Sequence, residues 1–496
     1  MCKNNYTFAA LLRAKNMESL KEKTAKGLLW GGIANGLQQV LNLVFGIVIA
    51  QKLLPEDYGL VGMLTIFSAV AGALQEGGFI SALNNRKDVT HEDYNSVFWF
   101  NLLVSVSIYA TLFLCAPLIA RFFGEPELTP LARYLFLGFV ITSLNIAPRA
   151  YLFRNLKVKE NSLIILFALF LSGIVGILMA VCKKAYWGLA TQTIVYVSTI
   201  TLLTYWVTGW RPSLRFTFRP VREMFGFSSK LILTNLCNIV NQNLFTVILA
   251  RFYTKVEVGN FSQANKWNYM GHVTLTNMLW GVAQPVFSKV DDDPMRQLAV
   301  FRKLLRFTAL LAFPAMFGLS LISREFILVT IGEKWIGAAA IMQMLCVWGA
   351  FVPIQSNFSN LLIARGKSNA YMWCTVALVV CVFLAAIGMK PWGMTWMLRV
   401  FVAVNIGWLF VWHALVHRTI GLRLLDMLRD IVPYMLLAAS LCLLAAYLLQ
   451  GIGNPWLSLV AKVIGVGATY CTILWLSGSV IFREAVDFLL RRKKKQ

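Results

Sequence analysis

The sequence predicts an all-α polytopic membrane protein, an expectation that rests on composition, on the length of the apolar segments and on an internal repeat. Of the 496 residues, 58% are hydrophobic and only 14% are charged, and the mean hydropathy is +0.66. Soluble globular domains carry about 25% charged residues. Composition alone therefore places most of this chain in lipid.

Apolar segments of about 20 residues, enough to cross a hydrocarbon core roughly 30 Å thick, follow one another along the chain. We predict fourteen such segments, so that both termini lie on the same side of the membrane. Their starting points are near Lys26, Tyr58, Tyr94, Thr129, Leu163, Trp187, Lys230, Val258, Leu305, Ile336, Ala370, Trp396, Ile431 and Leu457.

Lysine and arginine are distributed unevenly over this predicted topology. Of 46 such residues, 33 fall in the N-terminal segment, the even-numbered loops and the C-terminal tail, whereas 9 fall in the odd-numbered loops. Positively charged loops remain cytoplasmic, so both termini are expected in the cytoplasm. The net charge of +24 is therefore attributed to basic cytoplasmic segments. These include the tail at 491–495, which suits an anionic lipid surface. We therefore expect no nucleic-acid binding.

The sequence gives no sign of an enzyme, a cofactor or a metal. Its nine cysteines are scattered, nearly all inside apolar segments and without a CxxC motif, as is typical of small core residues. It has no Gly-rich phosphate loop and no HExxH motif, and the DxD pattern at 291–293 falls in a short loop. Met17, which opens a basic lead-in to the first segment, is a candidate for the native start.

Polar side chains of the first segment recur 200 residues later in the seventh. In each segment their spacing is i, i+3, i+7, which puts them on one face of a helix. Internal repeats are typical of transporters, and buried amides require polar surroundings, so we predict a water-accessible cavity between two related halves. The alternative is hydrogen bonding between helices. The matched residues are Asn35 with Asn235, Gln38 with Asn238 and Asn42 with Gln242; Asn241 adjoins the second set, and Val40, Phe45, Ala50 and Gly59 recur at the same offset.

Two further matches lie at slightly larger offsets, as small insertions in duplicated halves would produce. Residues 121–125 resemble 331–335, and residues 154–157 resemble 365–367. The predicted organisation is a basic cytoplasmic segment at 1–24, an N-lobe of six helices at 25–210, a C-lobe of six helices at 220–416, two further helices at 429–480 and a basic cytoplasmic tail at 481–496.

Several ordered motifs resemble those of a known transporter family. The motifs are LPEDYG at 54–59, GFISAL at 78–83, SVFWFN at 96–101, APLIARFFG at 116–124, APRA at 147–150, GEKW at 332–335 and ARGK at 364–367. In order and spacing they are similar to the lipopolysaccharide and teichuronic-acid exporter branch of the MOP flippase superfamily, the Wzx-type polysaccharide flippases. The resemblance covers nearly the whole chain after Met17 and weakens after about residue 390.

The resemblance implies a V-shaped transporter in the cytoplasmic (inner) membrane of a bacterium. Such a protein moves a polyprenyl-pyrophosphate-linked oligosaccharide from the inner to the outer leaflet by alternating access, for the synthesis of surface polysaccharide such as lipopolysaccharide. Membrane lipids and polysaccharide polymerase or assembly proteins are then the candidate partners, and the transporter itself is expected to be a monomer. Two alternatives remain open: a multidrug or cation antiporter of a related branch, and a membrane glycosyltransferase or glycan ligase.

Lys266 is the sharpest candidate for a substrate-binding residue. It lies about eight residues into the eighth segment, roughly 12 Å along the helix. A cation at that depth costs about 2.5–3.5 kcal/mol on insertion scales, so it is expected to face a wet cavity and to bind a pyrophosphate or an acidic sugar. The alternative is a structural ion pair with Glu257. Other polar residues lie on both sides of it in the same segment: Gln263, Asn265, Asn268 and His272.

The remaining candidates are charged residues near helix ends. One interpretation is that these arginines extend their side chains to the membrane surface or help to set the topology. The resemblance implies instead that basic residues at the cavity mouth handle the lipid pyrophosphate. The arginines are Arg149, Arg154, Arg251 and Arg365. Arg149, next to Pro148, is the first to test. Glu76 and His272 are candidates for coupling transport to an ion gradient; simple exposure at the interface is the alternative for Glu76.

Overall fold

The structure is a computed structural model that describes residues 30, 32–76, 83, 89–155, 157–214, 217–289 and 294–484. Within these ranges, the side chains at 75–76, 225–234, 237, 280–286, 288–289 and 294 are not described. Met17, the DxD pattern and the basic tail therefore lie outside the described residues. In the part that is described, the secondary structure is helical and contains no β-strand.

The helices are numbered here in chain order. They are α1 Gly32–Lys52, α2 Pro55–Glu76, α3 His91–Phe123, α4 Leu128–Arg154, α5 Val158–Val181, α6 Ala185–Thr208, α7 Arg219–Phe252, α8 Lys255–Lys289, α9 Pro294–Leu321, α10 Ser323–Thr330, α11 Ile336–Gly349, α12 Val352–Ala364, α13 Ser368–Met389, α14 Met394–Ile420, α15 Leu424–Leu448 and α16 Pro455–Leu476. Short 3-10 turns at Glu333–Trp335 and Lys390–Trp392 precede α11 and follow α13.

The helices confirm the predicted fold class. Among the described residues, 11 helical stretches are long and apolar enough to cross a membrane, so the protein is an all-α, multi-pass membrane protein. Helices satisfy every main-chain hydrogen bond within one segment, as the hydrocarbon region requires. Each predicted segment coincides with one helix, except that the tenth is divided into α11 and α12. The count of fourteen spans stays a prediction.

The two central helices extend well beyond their apolar parts. α7 has 34 residues and α8 has 35, which correspond to about 51 and 52 Å. A bilayer with its headgroups is only about 40–45 Å thick. α7 begins at Arg219, eleven residues before the apolar segment near Lys230, and Arg219 pairs with Glu223 one turn later at 3.0 Å. Hydropathy marks where the chain meets lipid, whereas the helix continues through the polar interface.

The ends of α3 show how local sequence fixes a helix boundary. Thr90 and Asp93 form a reciprocal capping box, in which the Asp93 carboxylate accepts from the Thr90 N–H at 2.8 Å. At the other end Gly124 takes a left-handed conformation with φ 77°, and its N–H donates to the Ala120 carbonyl. A residue with a Cβ would be strained there.

The chain forms two compact units. Unit 1 comprises Met1–Leu53 and Leu64–Ile239, and unit 2 comprises Leu54–Met63 and Val240–Gln496. The buried core of unit 1 includes Tyr94 and Phe98 of α3, Ala147 of α4, Trp210 and Met224. In unit 2, α8 packs against α9, α11 and α12, while α15 packs along α9. The predicted lobe boundaries themselves stay a prediction.

Candidate substrate site

The amide stripe of α1 lies on a stretch that neighbouring helices leave open. Asn35 is exposed, and Gln38 and Asn42 are half-buried. Phe45 follows Gln38 by seven residues and so lies on the same face, but it is buried, and its ring contacts Phe170 of α5 edge-on with centroids 6.0 Å apart. One face of α1 is therefore polar and open over two turns and apolar and packed over the next.

The stripe of α7 has the same arrangement. Phe245, the counterpart of Phe45, is 2% exposed, and its ring centroid lies 4.3 Å from that of Phe401 on α14. Burial therefore recurs at the offset of 200 together with residue type, which supports a duplication. The amides that precede Phe245 are open or half-open: Asn235 and Gln242 are exposed, and Asn238 and Asn241 are half-buried.

Lys266 lies deep along α8 and forms no ion pair with Glu257. It stands eleven residues after the start of α8, about 16 Å along the axis. Its side chain is half-buried, with Nζ 5.6 Å from the centroid of the Trp267 ring. The Glu257 carboxylate instead accepts from the N–H and hydroxyl of Thr254, at 3.0 and 2.9 Å, and so caps the helix. No ion pair of Lys266 occurs among the described residues.

Other polar residues of α8 are more deeply enclosed than Lys266. Gln263, Asn268 and His272 are 0%, 1% and 7% exposed. In each, at least one buried polar atom has no hydrogen-bond partner in the described part of the structure. The ring of His272 contacts Tyr269, with centroids 5.6 Å apart. These side chains keep the interior of α8 polar, as the sequence indicates, but they are enclosed by protein.

The two arginines of α4 make different contacts. Arg149 is half-buried and lies over the ring of Phe153, with its guanidinium carbon 5.6 Å from the centroid. Arg154 donates to the main-chain carbonyl of Leu83 at 3.0 Å. Arg154 therefore ties the end of α4 to the chain before α3.

The two arginines of the second half also differ. Arg251 is exposed at the end of α7. Arg365, just after α12, donates through two nitrogens to the Gln297 carboxamide oxygen at 2.8 and 2.6 Å. Gln297 is fully buried and donates in turn to the Phe287 carbonyl. Arg365 therefore connects α12 to α9, whereas the side chain of Glu76 lies outside the described residues.

Two helix starts that the sequence did not place together cross in unit 2. A Cβ on Gly59 would overlap the main-chain carbonyl of Lys255, and a Cβ on Gly259 would overlap that of Pro55. The contact is reciprocal, since each glycine meets the first residue of the other helix. The caps are also equivalent at the offset of 200: Asp57 accepts from the Leu54 N–H at 2.9 Å, as Glu257 does from Thr254.

Charged residues in α15 and α16 anchor the last two helices. Arg302 of α9 binds Asp430 of α15 through two nitrogens, at 2.7 and 3.2 Å, and contacts Asp426 at 3.1 Å. Near the other end of α9, Lys462 of α16 donates to the Glu325 carboxylate on α10. The sequence shows Lys462 as a charge inside a span but does not show its partner, which lies 137 residues away.

Together the fold and these side chains define a multi-pass helical membrane protein with polar groups held at membrane depth. A comparison with known protein families shows which family the chain belongs to. Residues 48–340 match the family described as "Polysaccharide biosynthesis protein", and the chain belongs to that family.

Curated relatives match over most of their own length. The lipopolysaccharide biosynthesis protein WzxC of Escherichia coli (strain K12) is 28% identical over 355 residues, which cover 70% of this chain and 71% of the relative. The succinoglycan biosynthesis transport protein ExoT of Rhizobium meliloti (strain 1021) is 23% identical over 90% of this chain and 92% of its own.

Solved structures show the same fold. The lipid II flippase MurJ, in an inward closed conformation, superposes with a TM-score of 0.70 at 16% identity, over 91% of this chain and 99% of that one. An outward-facing multidrug resistance MATE transporter of the MOP superfamily gives 0.52 at 15% identity, over 84% and 94%. These likenesses show the fold, whereas the predicted resemblance to polysaccharide exporters is confirmed by the family match and the curated relatives.

Proposed function

We propose that this protein is a flippase that moves a polyprenyl-pyrophosphate-linked oligosaccharide from the inner to the outer leaflet of the bacterial cytoplasmic membrane. Family membership supports a role in polysaccharide biosynthesis, and the names of the WzxC and ExoT relatives support export of a glycan. The fold shared with a lipid II flippase is compatible with a lipid-linked substrate.

The observation that carries the proposal is the pair of amide stripes whose burial recurs at an offset of 200. Amides both donate and accept hydrogen bonds, which suits the hydroxyl groups of a sugar. They are exposed or half-buried on α1 and α7, although Phe45 and Phe245 on the same faces are packed. Structural amides between membrane helices would be enclosed in the same way as Phe45 and Phe245.

Lys266 supplies the charge that such a substrate needs. A half-buried ammonium without a carboxylate among the described residues suits a diphosphate or an acidic sugar. Arg149 of α4 is proposed as a second candidate contact for a lipid pyrophosphate. The polyprenyl tail would stay in lipid or in an apolar groove, to which α15 and α16 are proposed to contribute.

A drug or cation antiporter is the competing proposal within the same superfamily. Such a transporter would be expected to carry acidic residues that are free to take up protons or cations. In unit 2 the buried Asp430 and the half-buried Glu325 are instead held by Arg302 and Lys462. These ion pairs favour the flippase.

Depletion of the protein tests this function in cells. Lipid-linked glycan should accumulate on the cytoplasmic leaflet, and the wild-type chain should reverse the accumulation. Mass spectrometry of the accumulated lipid would identify the sugar. Unchanged amount and sidedness would refute the flippase and favour antiport.

A further inference from the structure

Two exposed cations lie at the corner between α13 and α14, on the predicted outer side of the membrane. Lys390 begins the 3-10 turn that follows α13, and Arg399 lies five residues after the start of α14, about 8 Å along its axis. Basic residues are depleted on the outer side of membrane proteins, because positively charged loops remain cytoplasmic. Topology therefore does not account for these two charges.

Aromatic rings hold both cations in place. Nζ of Lys390 lies 4.1 Å from the ring centroid of Phe252, the last residue of α7. The guanidinium carbon of Arg399 lies 4.8 Å from the ring centroid of Trp396. Trp396 is nearly one turn closer to the corner than Arg399, so the guanidinium is directed back to the corner that Lys390 occupies. An aromatic ring positions a cation without neutralising its charge.

Neither cation forms an ion pair in the part of the chain that the structure describes. α13, the turn and α14 contain no Asp or Glu. The acidic residues near the end of α7 are already engaged: Glu257 caps α8 at Thr254, and Glu56 pairs with Lys255 at 4.0 Å. The positive charge of the corner is therefore available to an anionic ligand.

The helix faces below the two cations are apolar and exposed. Phe383, Ile387 and Lys390 have the spacing i, i+4, i+7, which puts them on one face of α13. On α14, Phe410 follows Arg399 by eleven residues, or three turns, and is also exposed. Exposed apolar faces of this kind suit the acyl chains of a lipid rather than a water-filled cavity.

Tryptophan marks the level at which the two cations meet the membrane. Trp392 and Trp396 are both exposed at the corner, and tryptophan is enriched at the level of the lipid headgroups. Lysine and arginine both bind phosphate, arginine through two parallel N–H groups. The corner thus places two cations at the depth of a phospholipid phosphate and apolar surface at the depth of its acyl chains.

We propose that Lys390 and Arg399 bind the phosphate of an anionic phospholipid such as phosphatidylglycerol, with its acyl chains along the exposed faces of α13 and α14. A zwitterionic phospholipid carries its own cation beside the phosphate and so suits this corner less well. The site is separate from Lys266 and from the amides of α1 and α7, and it does not depend on the proposed substrate.

The test uses the purified full-length protein in a non-ionic detergent, with dioleoylphosphatidylglycerol and dioleoylphosphatidylcholine as probes. Native mass spectrometry measures lipid binding. The wild type should hold its first phosphatidylglycerol at least tenfold more tightly than phosphatidylcholine. Its melting temperature should be about 2 °C or more higher in saturating phosphatidylglycerol than in phosphatidylcholine, because a ligand of the folded state stabilises it.

The double variant Lys390→Gln/Arg399→Gln should bind phosphatidylglycerol at least tenfold more weakly than the wild type and bind phosphatidylcholine equally well. Unchanged binding of phosphatidylcholine shows that this variant is folded. Lys183→Gln/Lys184→Gln is the matched control, because it removes two exposed cations from a turn on the same predicted side and should keep the preference for phosphatidylglycerol.

Inorganic phosphate distinguishes a lipid site from a site for a free anion. It should neither displace phosphatidylglycerol nor raise the melting temperature. Displacement by phosphate, equal binding of the two lipids by the wild type, or an unchanged preference in Lys390→Gln/Arg399→Gln would overturn the proposal. An equal loss of preference in Lys183→Gln/Lys184→Gln would also overturn it, since net charge alone would then explain the binding.

Discussion

At the scale of single residues, the contrast between Lys266 and Lys462 separates two uses of a cation within a membrane span. Lys462 is buried and donates to the Glu325 carboxylate. Lys266 is half-buried and lies over an aromatic ring instead. The sequence shows both as charges inside apolar segments, but only the structure distinguishes the structural ion pair from the candidate substrate ligand.

Removal of the Lys266 charge is expected to impair export while the protein level stays intact. A charge-assisted hydrogen bond contributes about 1.5–3 kcal/mol, so Lys266→Met should reduce the export rate about tenfold or more. Lys266→Arg keeps the charge and should retain most of the activity. The rate of glycan appearance at the cell surface measures both, and normal export by Lys266→Met would remove this residue from the mechanism.

The Glu325–Lys462 pair gives a pH dependence with a defined sign. Burial raises the pKa of Glu325, but the hydrogen bond and charge of Lys462, together with hydrogen bonds from main chain and Ser458, outweigh burial and leave it below its ordinary value. A lowered carboxyl pKa contributes stability that is complete above the ordinary value and is lost as the pH falls through the folded value.

Glu325→Gln should therefore lower the melting temperature at neutral pH and flatten its fall in acid. Glu484→Gln is the matched control, because that carboxylate is 51% exposed in its pair with Lys303 and should change little. Thermal denaturation of the detergent-purified proteins between neutral and acidic pH measures the effect. Parallel acid profiles for wild type and Glu325→Gln would contradict the assignment.

At the scale of helices, the reciprocal crossing of α2 and α8 depends on two glycines. Gly59→Ala or Gly259→Ala would drive a Cβ into a main-chain carbonyl, which cannot move away as a flexible side chain could. Each variant should lower the melting temperature by several degrees, since overpacking typically costs about 1–3 kcal/mol.

Gly72→Ala on α2 is the control for this crossing, because nothing lies within 4 Å of a Cβ built there. It should be neutral or slightly stabilising, as alanine favours a helix over glycine by about 0.5–1 kcal/mol. Equal stability of Gly59→Ala, Gly259→Ala and Gly72→Ala would show that the helices do not approach closely.

The two amide stripes can be tested as a matched pair. Because Asn35 and Asn235 are exposed, Asn35→Ala and Asn235→Ala should lower export without lowering the melting temperature. A fall in melting temperature with normal export would instead support interhelical hydrogen bonding. Export and thermal denaturation measured on the same variants separate these outcomes.

The sequence predicted the helices better than their contacts. Each predicted apolar segment coincides with a helix, or for the tenth with two, but the short helix α10 was not predicted. The offset of 200 linked Phe45 with Phe245, which are both buried. Helix length was underestimated for α7, because a polar helical extension has no hydropathy signal. The pairing of Glu325 with Lys462 could not be predicted, because contacts between distant segments leave no local pattern. The roles of Lys266 and the amides stay predictions.

At the scale of the whole molecule, family membership and the duplicated amides support the proposed function. The last two helices belong to unit 2 in the structure and are held there by ion pairs towards both ends of α9. They are therefore expected to move with that unit during transport. The energy source would be an ion gradient, the membrane potential or the gradient of the substrate itself.

The most direct measurement is translocation by the purified protein reconstituted in proteoliposomes. A polyprenyl-pyrophosphate-linked oligosaccharide incorporated in both leaflets would be followed by its accessibility to an added glycosidase. With wild-type protein the protected half should become accessible at a rate that Lys266→Met lowers about tenfold or more. If the protected half stays protected with folded wild-type protein and its native glycan lipid, the flippase account is contradicted.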